Sequence, residues 1–438
     1  MLKVIHPNAG GLDVGAEEVY ACVPEDRDGQ PIRRFGTTTP DLHDLAKWLV
    51  RCKVDTVALE STGVYWIPIY LILSDYQIEV QVVNAQHVKG VPGRKSDVKD
   101  SQWLQELHSV GLLRGSFRPP NDIVILRSYL CHRDSLIEHR AVHIHHMQKA
   151  LLQMNVQLTQ VLTDVTGMTG MAIMRAIARG EQDVDTLLTL RNKRCQHSPE
   201  DFVKALTANY RAEHVFALKQ SLVLYDAYTN QIGLCDAEIA QHFAVIKPSH
   251  DQDDLPPLDD SRKRNTHSKN TPGYDARSQM YRITGVDLTE IDGLHDSTAQ
   301  TILSEIGTDM SKWKSAKHFA SWLGLAPRND ITGGKVKRSR TLHGNRRANQ
   351  AFRMAAQAVG KTRTALGAFY RRRRAVAGPQ QAIVATAHKI ARIVYHLLKH
   401  RQPFHPLSAA DYDQHQLDRE RKSIERRATK LGLKLIPA

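Results

Sequence analysis

Between residues 10 and 116 the apolar positions fall into two rhythms. "GGLDVG" and "EVYACV" read as paired strands, and "PIRRFGTT" as a third. "TPDLHDLAKWLVRC" then switches to helical spacing, with Thr39 as N-cap and a proline at the first helical position. "DTVALES" has the character of a buried strand, "VYWIPIYLILSD" of a helix and "IEVQVVNA" of a further strand. "DVKDSQWLQELHSVGLL" is an amphipathic helix. The order βββαβαβα predicts an α/β domain, a mixed sheet covered by helices.

From 122 to 245 strand alternation disappears. "ILRSYLCHRDSLIEHRAVHIHHMQKALLQM" keeps a period near 3.6, which predicts long helices paired as a helical hairpin or coiled coil. "DVTGMTGMAIMRAIARGE" adds a glycine-marked turn and another helix. Residues 247 to 279 are polar and proline-containing, an acidic block before a basic one, and read as a linker or a segment ordered on binding. From about 281 the pattern is helical again, with "ANQAFRMAAQAVGKT" and "PQQAIVATAHKIARIVYHLLKH" as the longer helices. The predicted division is 1–120 α/β, 121–246 helical, 247–280 linker or insertion, 281–405 mainly α, and 406–438 a charged tail. No internal repeat stands out.

Charge changes this picture. Lys and Arg number 60 against 46 Asp and Glu, a formal net charge of +14. That balance favours a polyanionic partner, most often nucleic acid. The five cysteines are scattered without a CxxC pair, which argues against a disulfide framework or a cysteine zinc site. No apolar run approaches the ~18 residues of a membrane span, and the start lacks a signal-peptide core. A soluble cytoplasmic protein is expected.

Four acids form a candidate constellation. Asp13 sits at the end of the first strand, Glu60 ends "DTVALE", and Asp97 and Asp100 share one face of a helix start. In open α/β sheets, ligands bind beyond the carboxyl ends of strands. Carboxylates gathered there would need cations, and Mg²⁺ takes such oxygens together with phosphate. Two such ions about 4 Å apart stabilise both oxygens of an in-line phosphoryl displacement. Arg94 and Lys95, just ahead of the pair, would hold the nucleic-acid backbone. Taken alone, Asp97 and Asp100 describe a capped helix start better than a metal site; the joint placement of the four acids is what favours function.

The second candidate region is late and basic. Lys335, Lys337, Arg338, Arg340, Arg346 and Arg347 follow Gly333 and Gly334 with no acid among them, and "RRRR" recurs at 371–374. Glycine lets backbone N–H groups approach phosphate closely. Thr332, ahead of the glycines, is a candidate nucleophile; Ser339 and Thr341 are neighbours of the same chemistry. On the residues alone, Thr332 is better read as a loop hydroxyl bonded to its own backbone. "IDGLHDSTAQTILSEIG" is similar to a helix-hairpin-helix element, with Gly293 at the phosphate-contacting loop and His295 where a second glycine is usual. His139, His143 and His146 share one helical face; without a carboxylate or cysteine partner, a polar helix face fits better than zinc.

"GLDVG", "ALESTGVYW", "VPGRKSDVKDSQWLQELHSVGLLRGSFRP" and "FASWLGLAPRNDITGGKVKRSRT", in this order, resemble the DEDD transposases of bacterial insertion sequences, the IS-one-ten family. The resemblance implies an RNase H-like (RuvC-like) first domain with Asp13, Glu60, Asp97 and Asp100 as the metal-binding set. It also implies a coiled-coil region and a second, transposase domain. There the family uses a serine that bonds covalently to DNA; Thr332 stands at that position here. It further implies Mg²⁺, guidance by a structured bridge RNA, dimers that assemble into tetramers, and work at the bacterial nucleoid. A RuvC-like nuclease that resolves branched DNA by hydrolysis and a non-catalytic nucleic-acid scaffold are the alternatives.

Overall fold

The computed structural model describes residues 3–84, 97–250, 255–257, 269–341 and 344–433, with only the backbone at 97–99 and 409. The chain divides into two units, Met1–Arg118 and Pro119–Ala438.

The first unit is a five-stranded mixed sheet in the order β3-β2-β1-β4-β5. Its strands are β1 (Ala9–Val14), β2 (Glu18–Cys22), β3 (Ile32–Gly36), β4 (Thr56–Glu60) and β5 (Glu79–Val83). β1, β2 and β3 pair antiparallel through short connections. β1–β4 and β4–β5 pair parallel, because a helix, α1 (Thr39–Arg51) or α2 (Trp66–Asp75), crosses over before β4 and β5. Strand alternation sorts the faces. Leu12, Val14, Val57 and Leu59 pack with Leu45 and Trp48 of α1 and Ile69 and Leu73 of α2. Ala58 and Val83 face the opposite way, onto Leu104 of α3 (Asp97–Ser109). The cap of α1 is Thr38, one residue before the expected Thr39, since the Thr38 hydroxyl accepts from the Asp41 N–H and Pro40 falls inside the first turn.

The second unit is mostly helical. α4 (Asn121–Gln153) and α9 (Ala212–Val245) lie side by side. Cys235 bonds the Tyr129 carbonyl and His242 the Asp122 carbonyl, so the two run antiparallel. Short helices α5 (Leu158–Val161), α6 (Met168–Ala178), α7 (Val184–Thr189) and α8 (Pro199–Leu206) close one end around Met147, Met174, Phe202 and Leu218. Midway, Arg133 and Asp236 form a buried ion pair at 2.5 Å. The pair also organises part of the expected linker. Arg133 donates to the Asn270 carbonyl, Asp236 accepts from the Gly273 N–H, and Arg140 donates to Lys269 and Asn270. Residues 251–254 and 258–268 of that linker lie outside the described residues.

Helix α10 (Ala276–Thr284) starts earlier than the expected 281. α11 (Asp296–Ile306), α12 (Ala316–Trp322), α13 (Arg346–Val359) and α14 (Ala365–His400) surround Phe319, Phe352 and Tyr395. The tail forms a further helix, α15 (Ala409–Lys430). One hairpin interrupts the helices, β6 (Pro327–Thr332) with β7 (Lys335–Thr341). Its polar, basic sequence carries little apolar alternation and by itself reads as a loop. Among the described residues no helix is long and apolar enough to cross a membrane.

Candidate active site

In the parallel register of β1 and β4, Leu12 lies opposite Leu59. The next residue on each strand is therefore an acid, Asp13 beside Glu60, and strands so paired lie about 4.8 Å apart. Both side chains are half-buried. They sit one residue past Leu12 and Leu59, so they face away from the α1–α2 layer and toward the side that α3 covers.

Three contacts fix how α3 lies on this face. Gln105 donates to the Ala9 carbonyl at 3.2 Å, and His108 Nε2 meets Thr56 Oγ1 at 2.9 Å. The backbone of Ser101 and Gln105 crosses directly over Gly11. As β1 advances from Ala9 toward Asp13, α3 runs back from His108 toward Asp97. The helix is thus antiparallel to β1, and its first turn, with Asp97 and Asp100, lies toward the carboxyl ends of β1 and β4. Gly11 permits this close approach, because a Cβ there would stand 2.2 Å from the Ser101 carbonyl oxygen. Thr62 Oγ1 lies 3.4 Å from Glu60 Oε1. Asp100 is half-buried, while the Asp97 side chain and the whole of Arg94 and Lys95 lie outside the described residues. Among the described residues no three His, Cys, Asp or Glu side chains are close enough to share a metal ion.

The far end of α3 is dry. His108 is buried, stacked on His6 at 5.0 Å, and burial with the nearby His6 pushes its imidazole down to about 4.

Thr332 closes β6 opposite Lys335. Gly333 and Gly334 have φ of +56° and +75°, the two positive angles that a two-residue hairpin turn of this hand needs. Every residue of both strands is exposed. Lys335, Arg338 and Arg340 lie opposite Thr332, Asp330 and Arg328 and so share one face of the hairpin, while the register shift at Asp330/Ile331 leaves Lys337 as the extra residue of a bulge. The Thr332 hydroxyl thus lies beside a glycine turn on a strand pair that carries four exposed cations.

Other expected contacts have different surroundings. Arg346 is exposed at the start of α13, but Arg347 is engaged inside the protein, donating to Asp134 at 2.5 Å and Glu305 at 3.5 Å. Glu305 is fully buried and also takes Arg127 and Asn345. Its place in "SEIG" gave no signal of this, because its partners come from distant segments. Gly293 is buried with φ +86°, and a Cβ there would strike the Ala355 carbonyl oxygen at 2.5 Å, so packing against α13 already requires a glycine. His139 and His143 stack on Tyr228 of α9, a helix-pairing role that the histidine spacing alone did not reveal.

Two family models match the chain. Residues 10–156 match the DEDD-type model described as Transposase, and residues 287–371 match Transposase IS116/IS110/IS902 family. The chain carries IS110-family transposase domains. It is accordingly an enzyme, a DNA transposase/recombinase, with DNA as its substrate. DEDD transposases typically use divalent metal ions. The first match spans the sheet, α3 and α4; the second spans α11, α12, the hairpin and α13. No curated protein matches the chain.

Proposed function

We propose that this transposase is an RNA-guided recombinase that cuts and rejoins DNA by Mg²⁺-dependent phosphoryl transfer through a covalent Thr332–DNA intermediate. The observation that carries the reading is the adjacency of Asp13 and Glu60 at the carboxyl ends of neighbouring parallel strands, with the first turn of α3 toward the same end. The sheet order, three antiparallel strands followed by two parallel ones, supports an RNase H-like, RuvC-like unit.

Asp13, Glu60, Asp97 and Asp100 offer only carboxylate oxygens, a donor set suited to hard divalent cations. Bound Mg²⁺, read as two ions, supplies charge neutralisation at the attacking and departing oxygens. The carboxylates hold and orient; the hydroxyl does the bond-making. Thr332 Oγ1 loses its proton and bonds to phosphorus as the bond to the departing strand oxygen breaks, and that oxygen takes up a proton. The phosphodiester is conserved as a protein–DNA link, so a second strand end can displace Thr332 and reseal the DNA without an external energy source. Exposed Lys335, Lys337, Arg338 and Arg340 neutralise the backbone around it. The guide RNA, the coiled-coil character of α4 and α9, and the assembly of dimers into tetramers rest on the resemblance to the family.

The test is a denaturing gel of the full chain with labelled DNA, carrying its RNA, with and without Mg²⁺. A Mg²⁺-dependent protein–DNA adduct that disappears in Thr332→Ala, Asp13→Asn and Glu60→Gln is expected. Cleavage without an adduct, unaffected by Thr332→Ala, would instead assign hydrolysis. DNA binding with no strand cut under any condition would assign a scaffold.

A further inference from the structure

Helix α14 is folded nearly back on itself. On a straight helix, Phe369 and Lys389 would lie about 30 Å apart, yet the Lys389 ammonium sits 4.7 Å from the Phe369 ring centroid. The fold occurs at Gly378, whose φ of +79° breaks the helix just before Pro379. The two arms and α15 enclose a concavity of about 500 Å³, within the range of small-ligand sites.

Its chemistry is one-sided. Arg372 and Arg373 come from the first arm, His388, Lys389 and Arg392 from the second, and Arg419 from α15. None of its lining residues is acidic. Glu420 ties Arg372 to α15 at the rim and leaves the other cations facing the cavity without a carboxylate among its walls. Lys389 lies between Phe369 and Tyr412, 5.0 Å from the second ring, which fixes its position without neutralising its charge. Burial and then the nearby Arg419 and Arg392 push its ammonium below the usual lysine range. Folding has thus held like charges together at a cost that a bound anion would relieve.

We infer that this concavity binds the phosphate backbone of a nucleic-acid strand, through residues other than the four acids and those of the hairpin. Guanidinium forks match phosphate oxygens, and the aromatic walls suit the sugar and base beside them. The inference rests on the reading of the chain as a nucleic-acid enzyme but needs neither Thr332 nor metal.

The experiment measures binding of the full chain to fluorescent single-stranded DNA and to RNA of the same sequence, in chelator, across a salt series. Lys389→Gln with Arg392→Gln should weaken binding about tenfold. The slope of log K against log salt should become shallower by about 0.7 for each phosphate that is no longer neutralised. Arg373→Glu, at an exposed position where misfolding is not at stake, should act in the same direction. Weaker binding of DNA alone or RNA alone names the strand that enters; weaker binding of both supports a shared backbone site. Unchanged affinity and slope in both variants overturns the inference, as does competition by polyglutamate equal to that of unlabelled nucleic acid. Because no strand is cut in this assay, normal binding by the variants sinks the pocket alone, whereas a missing covalent adduct sinks the catalytic reading alone.

Discussion

Gly11→Ala tests the candidate site without touching an acid. The added Cβ would lie 2.2 Å from the Ser101 carbonyl oxygen and 2.4 Å from the Gln105 nitrogen, where ordinary contact begins at 3.4 Å. Both obstacles are backbone atoms and cannot swing aside. Helix α3 must therefore retreat from β1 by about 1 Å, and such overpacking costs about 1–3 kcal/mol. The Gln105–Ala9 and His108–Thr56 hydrogen bonds stretch with it. Asp100 travels with the helix while Asp13 and Glu60 stay in the sheet. A misplacement of about 1 Å in a catalytic constellation can cost about a hundredfold in rate. Urea unfolding gives the first number and Mg²⁺-dependent DNA cleavage by the folded fraction gives the second. Gly29→Ala is the control, since nothing lies within 4 Å of its added Cβ. If Gly11→Ala cleaves like the wild type at every Mg²⁺ concentration, the placement of α3 does not set the geometry of the reaction.

Arg133→Met should destabilise the paired helices by about 3–5 kcal/mol, because Asp236 is left buried without its cation, and adding Asp236→Leu should recover most of the loss; additive losses in urea unfolding would refute this. Burial holds His108 neutral in the folded state, with its pKa lowered from 6.5 to about 4. The unfolded chain therefore takes up the proton first as pH falls. The contribution of His108 is complete above about 6.5 and is lost progressively toward 4, about 3 kcal/mol in all. His108→Asn should remove that part of the acid dependence, and an identical pH–stability curve would contradict it. Lys335→Gln with Lys337→Gln, on exposed strand positions, should change stability by less than about 0.5 kcal/mol. It should reduce the salt slope of duplex binding by about 0.9 for each phosphate left without its cation; an equal slope would remove the hairpin from the DNA interface.

The placement of Asp13 and Glu60 near strand ends and of Asp97 and Asp100 at a helix start was legible, because such ends announce themselves through periodicity and capping residues. What the residues alone left open was whether these ends meet. That depended on the β1–β4 register and on the direction of α3, which Gly11, Gln105 and His108 set together. Arg347 shows the opposite limit. Its local sequence is purely basic, yet Asp134 and Glu305, far off in the chain, take its guanidinium. The strands of the hairpin are illegible for a different reason: both faces are solvated, so no apolar alternation marks them.

Apart from the hairpin, the sequence by itself determined most of the elements and their order, the basic balance and the residue types at the candidate site, because propensity, periodicity and charge are local properties of a chain. Tertiary structure alone decided which acid lies beside which, which arginines remain open to a ligand, and that Gly378 folds two basic arms around one cavity. Those outcomes depend on contacts between residues tens to hundreds of positions apart, and on the cost of burying charge, which exists only once the chain has packed.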